Sequence, residues 1–357
     1  MTSVDELAVQ RVKTVHAPDD RVACFEVTVE AVGEDDENPE IVLTGTVQTE
    51  RTRVKLLEEL RRLSTDRTVR DGLSVLEGTG EAMTTDRRVS AVHGEPRVDA
   101  EQVTQVLYGA EITAYDSRDG WRRVWTPCGY LGWVDATVLT DPGAAADADY
   151  VTESGETREA VDETSPGDWC PDGVVTAPTT PIQPNEAPET VPAGVDCRLE
   201  SRDDKEVTVS FRTGVQATLP APAIHERTST GIGADVVAVA RQFLETPYEW
   251  GGMTTEGIDC SGLVWVAYAA VGVTVPRDAD QQRELGTDVS RDDLEPGDLL
   301  FFPGHVAISL GGPEFIHAYG SAEAVTVNSL DPSHAVYVES LEESVTAMKR
   351  FLPEGAR

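Results

Sequence analysis

Apolar spacing divides the chain into four stretches. From about 20 to 78, "VACFEVTVEAV" and "EIVLTGTVQ" alternate apolar and polar residues with period two and predict strands. Between them and a closing run "GLSVL", the segment "RVKLLEELRRL" sets Val54, Leu56, Leu57, Leu60 and Leu63 on one helical face. Residues 1–80 therefore read as a small α/β scaffold domain, with nothing in them that suggests chemistry. From 84 to 140 the pattern is all short strands: "RVSAV", "VTQVLYG", "EITAYDS", "WRRVWT" and "YLGWVDATVL", parted by turn signals such as Asp119-Gly120 and Cys128-Gly129. Five such strands predict a small barrel. Residues 141–170 are acidic and rich in small side chains, as a surface linker would be. From 172 to 226, Pro178, Pro181, Pro184, Pro188 and Pro192 surround short β runs, so 141–228 reads as linker plus a second, irregular barrel. The last stretch, 232–353, opens with two helical patterns, "ADVVAVARQFL" and "IDCSGLVWVAYAAVG", the latter stopping at Gly272. The strand patterns "GDLLFF", "HVAISL", "EFIHAYG" and "AVTVNSL" follow, an order that predicts an α+β unit with an antiparallel sheet. The whole is a multidomain α+β protein.

Charge changes this picture most. Asp and Glu total 64 against 29 Lys and Arg, a formal net charge of −35 spread along the chain, and only Lys13, Lys55, Lys205 and Lys349 are lysines. Self-repulsion of that size opposes compactness in dilute buffer. At about 1 M salt the screening length falls to roughly 3 Å and the repulsion fades. A high-salt cytoplasm is expected. Nucleic acid is not an expected partner for so acidic a surface. No apolar run reaches membrane-spanning length, and the start, "MTSVDELAVQRVK", lacks a secretory apolar stretch, so a cytoplasmic protein without membrane contact is expected. The five cysteines, Cys24, Cys128, Cys170, Cys197 and Cys260, form no CxxC pair, which argues against a disulfide framework or a structural zinc site. No cofactor is expected, and the pattern sets no oligomeric state.

The candidate chemistry lies in the last stretch. Cys260 begins its predicted helix, with Asp259 in an N-cap position. There the positive end of the helix dipole favours thiolate, the nucleophilic form. His305 opens one strand and His317 lies in the next, and a turn at Gly311-Gly312 can bring both imidazoles to one face of the sheet. One ring could then serve the thiol as acid and base while the other orients it, the logic of a catalytic triad. Blander readings stand beside this one: a buried Cys at a helix start and His residues in strands are commonly packing, and Cys-His-His is also a zinc ligand set. Packing alone, however, does not require the glycines, Tyr248 and Trp250 of "PYEWGG…GIDCSGLV", and zinc would want a fourth ligand, for which His334 sits in a polar turn.

The segment "RQFLETPYEWGGMTTEGIDCSGLVWVAYAAVGVTVPRDADQQ…GDLLFF…HVAISLG…FIHAYG…VNSLD" resembles the NlpC-type family of papain-like cysteine peptidases. That resemblance implies Cys260 as nucleophile, His305 as general acid and base, His317 as the orienting third residue and Tyr248 as oxyanion donor, with Trp250 as a pocket wall. "DGW…GYLGWV" is similar to bacterial SH3-like domains attached to cell-wall peptidases. The full layout, a leading α/β piece, two SH3-like barrels and a peptidase domain, resembles the γ-D-glutamyl-L-diamino acid endopeptidases. This implies cleavage of murein-type peptides after L-Ala-γ-D-Glu and a substrate with a free N-terminal amine. By the same resemblance Glu95 of "HGEP", Tyr130 of "CGYLGW", Asp259, Ser261 and Asp278 would bind the amine and the dipeptide. Ala279 stands where the family often has serine, which puts one substrate hydrogen bond in question. Two alternatives keep their place: an amidase or acyltransferase acting on another γ-glutamyl compound, and a non-catalytic SH3-like ligand-binding protein.

Overall fold

The computed structural model describes residues 3–32, 40–65, 67–143, 169–182, 188–227 and 233–351. Most of the expected acidic linker (144–168), Pro184 and part of "HERTSTGIG" lie outside the described residues.

The chain begins with a helix that the period analysis overlooks, α1 (Val4–His16), whose Ser3 and Glu6 form a reciprocal capping box. Strands β1 (Phe25–Val32) and β2 (Glu40–Val47) follow, then α2 (Glu50–Leu63) and β3 (Thr68–Val75). β1 pairs antiparallel with β2, and β2 pairs parallel with β3 across the α2 crossover. Thr49 caps α2 by accepting from the Thr52 N–H. The face that α2 buries is Thr52, Leu56, Leu57 and Leu60, packed with Ala8 and Val12 of α1 and with Phe25, Leu43 and Val47 of the sheet. Val54 and Leu63, expected on that face, are exposed: a sheet of three strands is too narrow to cover the full apolar stripe.

Seven strands replace the five expected next: β4 (Glu81–Thr85), β5 (Val89–His93), β6 (Gln102–Leu107), β7 (Ile112–Arg118), β8 (Trp121–Trp125), β9 (Leu131–Asp135) and β10 (Leu139–Thr140). Their order is β10-β4-β7-β8-β9-β5-β6. The two additional strands are β4, which pairs with β7, and β10, which a short 3-10 turn at Ala136–Val138 returns to β4. The proline-rich stretch forms β11 (Gly173–Val175), β12 (Thr179–Pro181), β13 (Thr190–Pro192), β14 (Asp196–Arg202), β15 (Glu206–Ser210), β16 (Gln216–Pro220) and β17 (Ile224–Glu226). These make a five-stranded sheet, β16-β15-β14-β11-β17, and the pair β12-β13, whose prolines sit on short edge strands that lack a full ladder to spoil.

The C-terminal unit runs α3 (Gly233–Arg241), β18 (Met253–Thr254), β19 (Gly257–Ile258), α4 (Cys260–Ala269), α5 (Ala279–Arg283), β20 (Thr287–Asp288), β21 (Pro296–Phe302), β22 (His305–Gly311), β23 (Glu314–Tyr319), β24 (Ala324–Ser329), α6 (Glu339–Ser344) and β25 (Ala347–Arg350). Its six-stranded antiparallel sheet has the order β20-β25-β21-β22-β23-β24. All ten residues of α4 are buried, as befits a helix apolar on every side. One face packs on α3, β22 and β23, while Trp265 and Val266 meet Gly194 of the preceding unit. One continuous core therefore joins Leu107, Tyr130, Val191, Val264 and Ile308, drawn from three successive units. No helix of the described residues is long and apolar enough to cross a membrane.

Candidate active site

Cys260 is the first residue of α4 and is 7% exposed. The start of the helix is held by a buried polar lattice rather than by solvent. Asp259 accepts from the N–H of Gly262 at 2.6 Å and of Gly251 at 2.8 Å. Arg277, 1% exposed, donates to both Asp259 carboxylate oxygens at 2.9 and 2.7 Å, to Ser261 Oγ at 2.9 Å and to Thr104 Oγ1 at 2.9 Å. Gly262 explains why the motif reads Cys-Ser-Gly: a Cβ there would stand 2.4 Å from the Gly252 carbonyl and 3.0 Å from Asp259 Oδ1. Arg277 belongs to the quoted "PRDA" segment but had no role assigned. A basic side chain directly after the apolar run "VGVTVP" in so acidic a chain was the signal.

His305 and His317 share a face of the sheet, as the Gly311-Gly312 turn requires; both glycines have positive φ, 93° and 65°. His305 Nε2 lies 2.8 Å from His317 Nδ1, and His317 Nε2 lies 2.9 Å from Asn328 Oδ1. Asn328 Nδ2 donates to the Val336 carbonyl at 2.9 Å. That last bond sets the direction of the rest. A carbonyl only accepts, so the Asn328 amide presents Oδ1 to His317, whose Nε2 must carry a proton. Neutral His317 then accepts at Nδ1 from the His305 Nε2–H, which leaves His305 with a bare lone pair on Nδ1. Asn328 lay within the "VNSLD" segment, but its role depends on a cross-strand neighbour that spacing along the chain does not reveal. His317 is fully buried, stacked on Tyr319 at 4.8 Å and edge-on to Phe315 at 5.0 Å.

The electrostatics depart from expectation. Burial pushes the Cys260 thiol up to about 11, the adjacent Asp259 charge adds to this, and backbone hydrogen bonding from Val306 only partly offsets it. Burial lowers His305 to about 3, aided by His317, and lowers His317 to about 4 against the hydrogen bond to Asn328. The helix dipole was expected to favour thiolate, but removing a sulfur anion from water costs more than the first turn of α4 returns. Each of these shifts favours the neutral form, of the thiol and of both imidazoles. Among the described residues no hydrogen bond joins Cys260 to His305; the Val306 amide, next along β22, is the group that reaches the sulfur.

The remaining expected residues divide into two groups. Tyr248 is half-buried, and burial, with smaller contributions from the Cys260 sulfur and the Asp259 carboxylate, pushes its phenol up to about 12. Ser261 lies inside the Arg277 lattice. Trp250 is 60% exposed, and its carbonyl accepts from Gln102 Nε2 at 3.0 Å, tying this loop to the start of β6. Tyr130 is buried and close to Asp278, which raises its phenol further after burial. Asp278 accepts from Arg21 at 2.8 Å. Two of the carboxylates are not left open: Asp259 is saturated by Arg277, and Glu95, exposed on the loop between β5 and β6, accepts from Arg97 at 3.1 Å. All five cysteines are free thiols, and only Cys170 among them is exposed.

The model of the NlpC/P60 family matches residues 245–340, and that of the bacterial dipeptidyl-peptidase Sh3 domain matches residues 92–139. Over 147 residues the chain is 33% identical to a probable endopeptidase of Corynebacterium glutamicum (strain R), an alignment spanning 40% of this chain and 69% of that protein. The chain belongs to the NlpC/P60 family. It carries a papain-like NlpC/P60 domain and an Sh3 domain, and several of its relatives are named as peptidases. A γ-D-glutamyl-L-lysine dipeptidyl-peptidase of Bacillus cereus is 28% identical over 284 residues, 70% of this chain and 75% of that protein. Dipeptidyl-peptidase 6 of Lysinibacillus sphaericus is 44% identical over 115 residues, but the chain spans only 42% of its length. A crystal structure of an NlpC/P60 family protein from Bacillus cereus superposes with a TM-score of 0.61 over 76% of this chain and all of that one, at 22% identity, and so speaks to the fold alone.

Proposed function

We propose that this NlpC/P60 peptidase cleaves γ-D-glutamyl bonds in murein-type peptides, releasing an L-Ala-γ-D-Glu dipeptide, with Cys260 as nucleophile, His305 as acid and base and His317 as its orienting partner. The observation that carries the reading is the hydrogen-bonded run from His305 through His317 and Asn328 to the Val336 carbonyl, because it leaves His305 Nδ1 as an acceptor one residue before Val306, whose amide reaches the Cys260 sulfur. His305 Nδ1 takes the thiol proton as the sulfur attacks the γ-carbonyl carbon, so a neutral resting pair suffices. The oxyanion is met by the Tyr248 hydroxyl and the Cys260 N–H, a first-turn amide without an intrahelical acceptor. The C–N bond breaks as His305 returns the proton to the leaving amine. Water, deprotonated by His305, then hydrolyses the thioester and restores the thiol. The metal reading fares poorly: both ring nitrogens of His317 are already engaged. The names of relatives, at modest identity, support the γ-glutamyl substrate class.

Incubation with L-Ala-γ-D-Glu-L-Lys in molar KCl, read by mass spectrometry, tests this. The dipeptide and free lysine should appear, and Cys260→Ala should abolish both. Turnover surviving in that variant would end the proposal, and a different product would redirect it to amidase or acyl-transfer chemistry.

A further inference from the structure

The loop between α1 and β1 belongs to the N-terminal unit, yet one of its side chains is held by the peptidase domain. Arg21 commits all five of its N–H donors to three carboxylates. Nε and Nη2 donate to Asp19 at 2.9 and 2.8 Å, Nη1 donates to Asp278 at 2.8 Å, and Nη1 and Nη2 donate to Asp280 at 2.8 and 2.7 Å. The Arg21 carbonyl accepts from the N–H of Leu131, the residue after Tyr130, at 2.6 Å. Gln281 Nε2 braces Asp19 at 3.0 Å. Three units thus converge on one point.

That point adjoins the chemistry. Asp278 directly follows Arg277, whose guanidinium grips Asp259 and Ser261 on either side of Cys260. Asp278 occupies the N-cap position of α5 but makes no side-chain cap bond; its carboxylate is turned to Arg21 instead. Tyr130, from the Sh3 domain, feels both Asp278 and Arg21. One guanidinium against Asp19, Asp278 and Asp280 leaves two net negative charges, a field that attracts an ammonium group.

We propose that Arg21 is a positioning residue for substrate specificity: it holds the Asp278 carboxylate away from the α5 amides and toward the N-terminal ammonium of the peptide, so the N-terminal unit takes part in recognition. The proposal rests on the peptidase reading above. Without the guanidinium, Asp278 is free to turn back and cap α5, and the ammonium loses its partner. Lysine cannot substitute, because one point charge with three donors does not span three carboxylates.

The test uses the full chain in molar KCl, comparing L-Ala-γ-D-Glu-L-Lys with its N-acetylated form. Arg21→Ala and Arg21→Lys should each raise KM for the free-amine peptide about tenfold while kcat stays within about twofold, and cleavage of the acetylated peptide should not change. Asp280→Asn, at the more exposed partner, should shift KM in the same direction by less, and it guards against an Arg21 variant that fails to fold. Equal responses of the two peptides, a fall in kcat at constant KM, or wild-type behaviour of Arg21→Lys would each overturn the proposal alone. If the unaltered chain cleaves neither peptide, the substrate reading falls and the proposal falls with it.

Discussion

His317 donates Nε2–H to Asn328 Oδ1 across 2.9 Å, and the proton on that nitrogen is dictated by the amide, not by the imidazole. Replacing Asn328 with Ala frees His317 to adopt either tautomer, half of which present the wrong nitrogen to His305. We expect kcat to fall at least about tenfold with KM little changed. Asn328→Asp should act differently: a carboxylate stabilises the imidazolium and raises His317 from about 4, moving the acid limb of the kcat profile upward in pH. An unmoved acid limb would show that Asn328 does not act through His317.

Stability should follow pH through His305, His317 and Cys260. In the unfolded chain the imidazoles titrate near 6.5, whereas folding holds them near 3 and 4, so between those values the unfolded chain binds more protons and acid favours unfolding. The thiol acts in the opposite sense: folding raises it from 9.0 to about 11, and stability is lost as the unfolded chain ionises first. Urea midpoints should therefore be highest between about pH 6.5 and 9. His317→Asn should flatten the acid side. An acid limb as steep as that of the unaltered chain would place the responsible groups elsewhere.

The Arg277–Asp259 pair, 1% and 8% exposed, is an ion pair that cannot be half-removed. Arg277→Ala strands a buried carboxylate at the head of α4 and should cost about 3–5 kcal/mol in chemical denaturation. Removing both charges together should cost less than the sum of the single changes. Additive losses would mean that the two groups act independently.

The net charge of −35 predicts salt-dependent folding. Screening weakens the exposed ion pairs of α2, such as Lys55–Glu58, but those contribute little, while the repulsion it relieves extends over the whole surface. The melting temperature should rise between about 0.1 and 2 M KCl, where the screening length drops from roughly 10 Å to below 3 Å. A flat or falling curve in a thermal scan would refute this.

Much of the site was legible because its signals are local. Asp259 before Cys260, glycines at 311 and 312, and the alternation around His305 and His317 are each decided within a turn or a strand, and Ser3 with Glu6 announced α1 just as plainly had the capping box been weighed. Tertiary structure alone decided the rest. Arg21 meets Asp278 across 257 residues of sequence, and Asn328 meets His317 only because β23 and β24 pair in one register. Even the sign of the Cys260 shift was not local, since the helix start favours the anion while the β units and sheet that enclose α4 exclude the water an anion needs. Propensity and caps act over a few residues, whereas burial and long-range charge pairing exist only once distant segments have packed.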